Sequence, residues 1–189
     1  MFSLKKVEKN YEDWIKSPFD SKTINSVKKL RKNNLKNFQD SFYKDLSFGT
    51  GGMRGIMGEG PNRVNKYSFG KNTQGISNYI NVNQKNDKKS VVIAYDSRHN
   101  SKSLAEIVAN VFSANGIKVF LFSSLRPTPV LSYALIKLKC TCGIVLTASH
   151  NPPEYNGYKV YWSDGGQIVP PLDKKLICEI NKVKYSDIN

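Results

Sequence analysis

The sequence is poor in several of the residues on which common functions depend. It has only three cysteines in 189 residues, and the Cys140-Thr141-Cys142 spacing fits neither a disulfide framework nor a zinc site. Cys142 lies in an apolar run and is expected to be a small buried hydrophobe, with a reducing cytoplasm as the expected compartment. No run of about 18 apolar residues is present, so no membrane-spanning helix is expected. The opening Met1-Phe2-Ser3-Leu4-Lys5-Lys6 lacks a continuous apolar stretch after its charges, so no secretory leader is expected either. There is no Gly-x-Ser-x-Gly elbow, which argues against an α/β-hydrolase. The glycine cluster at 49–55 is followed by no Gly-Lys-Ser/Thr and preceded by no clear strand, so it is neither a Walker A loop nor a dinucleotide fingerprint. Histidines number two, His99 and His150, and each is either a general base or a plain loop residue.

Acidic residues are scarce as well: 15 against 29 basic ones, a net charge of +14. Such a balance invites a nucleic-acid partner, but the excess is lysine scattered along the chain. No base-stacking aromatics sit on a recognisable motif, and no nucleic-acid partner is expected. Arginine is limited to Arg31, Arg54, Arg63, Arg98 and Arg126. Four of these lie outside the obvious helical runs, where a planar fork of donors suits phosphate.

What is present suits one domain with an N-terminal extension: 39% of residues are hydrophobic, enough for a core at this length. Residues 1–46 are expected to form a helical extension of two or three short helices broken near Ser17-Pro18. Phe48 to Gly55 is too glycine-dense for a regular element and is expected to be a loop. Ser68 to about Asn81 reads as a helix. Thereafter strands and helices alternate. Val91–Tyr95 is a strand. A helix opened by a Ser103/Glu106 capping box carries Leu104, Ile107, Val108, Val111 and Phe112, and Gly116 ends it. Lys118–Phe122 is a second strand. Thr128 caps a helix with Pro129 at its first position, running to about Leu138. Gly143–Thr147 is a third strand. Asn156-Gly157 signals a tight turn before an antiparallel strand at 158–162, Asp164-Gly165-Gly166 another turn, and Pro170-Pro171 precedes a last helix. The predicted fold is α/β: three layers, α/β/α, around a mixed, mostly parallel sheet, with residues 47–189 as the main domain.

In such a sheet ligands gather beyond the carboxyl ends of the parallel strands. Three polar loops fall there: Asp96–Asn100, Ser123–Thr128 and Ala148–Pro153. Together they make an anion-friendly rim. Ser149 follows an apolar strand and precedes Pro152-Pro153. On the residues alone it is either a turn-forming serine bonded to its own backbone or a rigidly presented nucleophile.

The motif Thr147-Ala148-Ser149-His150-Asn151-Pro152 resembles the active-site serine signature of the α-D-phosphohexomutases, which include phosphoglucomutase and phosphomannomutase. Phe48-Gly49-Thr50-Gly51-Gly52-Met53-Arg54-Gly55 resembles their N-terminal arginine loop. Asn156-Gly157-Tyr158-Lys159 resembles the segment that supplies an active-site lysine. Gly58 to Asn65 and Thr73-Gln74-Gly75 are similar to the branch of bacterial phospho-sugar mutases and phosphopentomutase-like enzymes. The match runs from about residue 40 to the end, in order. It implies an isomerase acting by intramolecular phosphoryl transfer, in which a phosphoserine at Ser149 exchanges its group with a sugar phosphate through a sugar bisphosphate. It implies Ser149, His150, Lys159 and Arg54 as catalytic residues, and Thr50, Gly51, Arg54, Arg98, Ser149, His150 and Lys159 as binders of phosphate and substrate. It also implies a magnesium ion on the Ser149 phosphate oxygen, held by carboxylates of a second domain. The family's Asp-x-Asp-x-Asp metal loop does not occur here. The chain is thus expected to be part of a longer protein, inactive alone, with the remaining mutase domains as partners. Two alternatives are a phosphopentomutase and a non-catalytic basic module binding anions or nucleic acid.

Overall fold

The periodic apolar positions of the first 46 residues fold as three helices: α1 (Leu4–Trp14), α2 (Ser21–Asn33) and α3 (Leu35–Phe42). Asp20 caps α2 by accepting from the Thr23 amide at 3.0 Å, and Asn34 caps α3 by accepting from Asn37. Their inward faces bury Val7, Trp14, Val27, Phe38 and Phe42 in a cluster of their own. Trp14 stacks on Phe19 at 4.3 Å, and Tyr67 and Tyr185 from the rest of the chain close over both. The computed structural model describes residues 4–84 and 89–189. Met1-Phe2-Ser3, on which part of the leader reading rests, lie outside the described residues.

The remaining chain forms one five-stranded sheet: β1 (Gly52–Ile56), β2 (Ser90–Tyr95), β3 (Lys118–Leu121), β4 (Cys142–Leu146) and β5 (Tyr155–Trp162), in the order β1-β5-β4-β2-β3. β2 is parallel to β3 and β4, and β5 is antiparallel to both β4 and β1. Four strands therefore point one way and only β5 is reversed, a mixed and mostly parallel sheet as expected. Helices α4 (Lys66–Asn83), α5 (Ser101–Ala114) and α7 (Leu172–Lys182) pack with the face that carries Ile93, Ile144, Tyr158 and Val160. Helix α6 (Thr128–Lys137) packs on the other face over β2 and β4, burying Leu131 and Leu135 against Val92, Ala94 and Val145. Full burial of such side chains contributes about 1.5–3 kcal/mol each. Gly75 lets α4 and α7 touch, since a Cβ there would lie 2.5 Å from Ile180 Cα.

Four local expectations are corrected. Phe48–Gly55 is not wholly loop, because Gly52 to Gly55 pair with Lys159 to Asn156 as an edge strand. Asn156-Gly157 is not a turn but lies inside β5; the turn comes earlier, where the Tyr155 amide donates to the Pro152 carbonyl at 3.0 Å. The Ser103/Glu106 box does not form. α5 begins at Ser101 after Asn100, whose φ is 61°, and Ser101 Oγ donates to Asp96 instead. Thr128 is already inside α6, with Pro127 at the cap, because the extended backbone of Pro127 starts the helix one residue early. The C-terminus of α5 ends as expected: the Gly116 amide donates to Ser113 and that of Ile117 to Phe112, with Gly116 at φ 73°.

Candidate active site

The sheet's pleat fixes which side chains meet. Tyr158 and Val160 join the core under α4, α5 and α7, so Lys159 projects to the opposite face. Met53 joins the same core, so Arg54 also projects opposite. Arg54 pairs with Gly157, and the Thr147 amide donates to the Gly157 carbonyl at 3.1 Å. In the next row Lys159 stands between Gly52 on β1 and Val145 on β4. α6 packs over β2 and β4, and the area over β1 and β5 forms a cleft of about 270 Å³. Thr50, Gly51, Gly52, Met53, Arg54, Thr147, Lys159 and Gln167 line it. Its described lining carries two cations and no carboxylate, which favours an anion. Thr50 and Gly51 are held in place by neighbours: Thr50 Oγ1 donates to the buried Asp173 at 2.8 Å, and Gln167 Nε2 donates to the Gly51 carbonyl at 3.0 Å.

β4 delivers the serine loop at its carboxyl end. Ser149 is exposed and has φ 60°, a left-handed conformation that costs a non-glycine residue about 1–3 kcal/mol. Its amide donates to Thr147 Oγ1 at 2.9 Å, and the Asn151 amide to the Ala148 carbonyl at 3.2 Å. Arg54 reaches the loop through Nη1, which donates to Asn151 Oδ1 at 2.7 Å. A second cleft, about 360 Å³, lies on the other side of the loop and is lined by Asp96, Ser97, Arg98, His99, Ser149, Asn151 and Pro153. Thr147 borders the first cleft and Ser149 the second, so the serine stands two residues beyond the cleft that Arg54 and Lys159 line. His150 is exposed at the loop's tip and lines neither cleft.

Arg98, expected from the sequence to bind phosphate, spends its donors on protein. Nη1 donates to the carbonyls of Pro152 (2.8 Å) and Tyr155 (3.0 Å), and Nη2 to those of Ser149 (2.8 Å) and Asn151 (2.5 Å). Nε faces Asp96 Oδ2 at 3.6 Å. Asn151 and Asp96 were not singled out from the sequence as site residues. Asn151 stands inside the serine motif, and Asp96 follows β2 at the rim, which are the signals that could have found them. Among the described residues no group of three His, Cys, Asp or Glu side chains is arranged to hold a metal. Asp96, the carboxylate beside Ser149 in the second cleft, is already taken by Arg98 and Ser101. These residues do not by themselves fit a magnesium site. No described helix is long and apolar enough to cross a membrane.

An α/β/α domain with a strained serine at a strand end beside a cationic cleft defines a class, and comparison with known proteins supplies the family. Residues 45–187 match the family described as phosphoglucomutase/phosphomannomutase, alpha/beta/alpha domain I, and the chain belongs to that family. Among curated relatives, a phosphoglucomutase of Staphylococcus haemolyticus is 41% identical over 173 residues, covering 91% of this chain and 30% of its own length. Human phosphopentomutase is 36% identical over 179 residues, covering 90% of this chain and 29% of its own. The crystal structure of a putative phosphomannomutase from Thermus thermophilus superposes with a TM-score of 0.67 at 28% identity, over 72% of this chain and 30% of that one. This chain therefore spans about 30% of the length of the relatives it matches.

Proposed function

We propose that this chain is the phosphoserine-bearing part of a sugar-phosphate mutase that interconverts hexose 1-phosphate and hexose 6-phosphate. In this proposal residues 47–189 are the phosphoserine domain and 1–46 a helical extension to it, and the family match from residue 45 supports that division. The observation that carries the reading is Ser149, exposed at φ 60° at the end of β4, on a loop that Arg54 contacts through Asn151.

A sugar hydroxyl oxygen attacks the phosphorus carried by Ser149, the P–Oγ bond breaks, and the hydroxyl proton ends on Ser149 Oγ. The bisphosphate then reorients, Ser149 Oγ attacks its other phosphoryl group, the sugar O–P bond breaks, and the serine proton passes to the sugar oxygen as the isomeric monophosphate leaves. Such transfers are loose, and the protein's contribution is position and charge. Arg54 and Lys159 offset the charge on the transferring group, and Lys159 assists the proton. Thr50 and Gly51 hold substrate oxygens, and His150 acts beside the serine. Magnesium enters this proposal only as an ion held against the Ser149 phosphate by carboxylates from outside this chain. A cytoplasmic location is supported by three free cysteines.

The test is Ser149→Ala in the whole mutase, with intact mass as a second readout. Turnover is expected to fall by at least about a thousandfold, as when a covalent nucleophile is removed. The wild type should carry one extra phosphoryl group that maps to Ser149. Normal turnover by the variant rejects the assignment. The identity to human phosphopentomutase favours a second reading, the same chemistry on pentose phosphates. Comparing kcat/KM for glucose 1-phosphate and ribose 1-phosphate separates the two.

A further inference from the structure

We infer that Arg98 is a positioning residue for phosphoryl transfer, a clamp on the backbone of the serine loop that fixes where Ser149 points. The inference rests on the mutase reading of Ser149. A guanidinium has five N–H donors. Four of them close on the carbonyls of Ser149, Asn151, Pro152 and Tyr155, at 2.5–3.0 Å, and the fifth faces Asp96. The side chain is 13% exposed. No donor is left over for a phosphate, and the planar fork is aimed at the chain itself.

The clamp is itself anchored. Asp96 Oδ1 accepts from the Arg98 amide at 3.0 Å and from Ser101 Oγ at 3.0 Å. Ser101 Oγ accepts in turn from Asn156 Nδ2, also at 3.0 Å. The end of β2, the start of α5 and the start of β5 therefore hold one guanidinium, and that guanidinium holds the loop after β4.

The need for a clamp follows from Ser149's backbone. A left-handed serine persists only where its surroundings over-determine it. The loop's other internal ties are the Ser149 amide to Thr147 Oγ1 and two turn bonds, Asn151 to Ala148 and Tyr155 to Pro152. Among the described residues Arg98 alone holds the carbonyl of Ser149 and so sets the peptide plane that follows the nucleophile. Without it four carbonyls lose a charge-assisted donor, and the serine is free to relax out of φ 60°. A misplacement of about 1 Å at a reacting atom costs about a hundredfold in rate. Lysine keeps the charge but has no planar fork and cannot satisfy four carbonyls arranged around one plane.

The test uses the whole mutase with Arg98→Lys and Asp96→Asn beside wild type and Ser149→Ala. Arg98→Lys is expected to lower kcat by about 30- to 100-fold while KM for the sugar phosphate stays within about twofold, the pattern of lost positioning. Phosphorylation of Ser149 by sugar bisphosphate, followed by intact mass, should slow by the same factor. Asp96→Asn, which loosens the alignment of the fork, should lower kcat by about three- to tenfold at unchanged KM. A kcat for Arg98→Lys within about threefold of wild type overturns the clamp. So does a tenfold rise in KM at full kcat, which marks a phosphate ligand. If Arg98→Lys does not fold, Asp96→Asn decides: reduced kcat at constant KM supports the clamp, and unchanged kcat overturns it. A wild type that exchanges no phosphoryl group on Ser149 sinks the mutase reading itself, whereas an active wild type with an indifferent Arg98 sinks only the clamp.

Discussion

Replacing Gly157 by alanine should damage fold and site together. Gly157 lies in β5 between β1 and β4, and a Cβ there would sit 2.6 Å from the Thr147 carbonyl oxygen and 2.8 Å from that of Met53. Both are backbone atoms of neighbouring strands, so no side chain can rotate away. Overpacking of this kind costs about 1–3 kcal/mol and more when backbone must move. The lower chain entropy of alanine returns about 0.4–1 kcal/mol at most. Because both obstacles are backbone, the cost falls at the upper end, about 3 kcal/mol, and the net loss is about 2–2.6 kcal/mol. At about 2–4 °C per kcal/mol for a chain of this size, the melting midpoint should fall by about 4–10 °C. The strain falls next to the site, because Thr147 accepts from the Ser149 amide and Met53 precedes Arg54. On the proposed mutase reading, turnover of the full-length protein should therefore drop at least tenfold. Gly166→Ala is the control, since its nearest neighbour is the Asp164 carboxylate at 3.4 Å. A Gly157→Ala protein that melts within 1 °C, on the order of the measurement error, and retains full activity refutes the reasoning.

Asp20 ties the helical layer to α4, and its carboxyl is held well below the usual carboxylate range, first by the Lys66 ammonium at 2.5 Å and then by the Tyr67 hydroxyl at 2.6 Å. Because the folded-state value is depressed, this stabilisation is present above the unfolded value of about 3.9 and is lost as pH falls below it. Asp20→Asn should lower stability at neutral pH and flatten the acid limb; urea titrations of variant and wild type with parallel acid slopes would count against it. Asp40→Ala strips the carboxylate 2.6 Å from the buried Arg63 guanidinium, and it should cost about 1–2 kcal/mol by urea denaturation, discounted because Asp40 is half-exposed; a loss under about 0.5 kcal/mol contradicts this. Cys178 is exposed, while Cys140 and Cys142 are buried and their thiols are pushed up by desolvation. A thiol reagent should modify one cysteine quickly in the native chain and the other two only on unfolding, and two fast thiols would be wrong for this core.

The parallel strands and α5 were readable because their apolar spacing reports burial that does not depend on distant partners. The glycine segments misled for the opposite reason. Gly52 has φ 141°, and a Cβ there would stand 2.0 Å from the Tyr158 carbonyl oxygen. It closes the tight turn with Gly49, the two residues exchanging amide-to-carbonyl hydrogen bonds, and it is also a glycine because another strand passes close by. Gly157 answers to the same constraint from two sides. Local propensity contains no information about a strand about a hundred residues away, so both segments looked like loops. At the proposed site, Ser149, Arg54 and Lys159 were singled out through their motifs, and the fold places them on neighbouring strands and the loop after β4. Asn151 and Asp96 were not singled out, since what marks them is the partner each one bonds: Arg54 for Asn151, Arg98 and Ser101 for Asp96.

The reversed strand β5 explains how motifs so far apart in sequence share one site. If β5 ran parallel to β4, its start would lie at the far end of the sheet from the serine loop. Reversed, it leaves the turn after Ser149 and returns at once along β4, so that Gly157 lies level with Thr147 and Lys159 with Val145. β1 then pairs on its outer side and brings Arg54 level with Gly157. Since α6 packs over β2 and β4, the face that carries Arg54 and Lys159 opens to solvent as the cleft beside Thr147. Apolar side chains there would leave bare hydrophobic surface, whereas an arginine, a lysine and a row of glycines leave a shallow cationic floor. The same geometry leaves the guanidinium of Arg54 as a bridge from the edge strand to Asn151, two residues from Ser149.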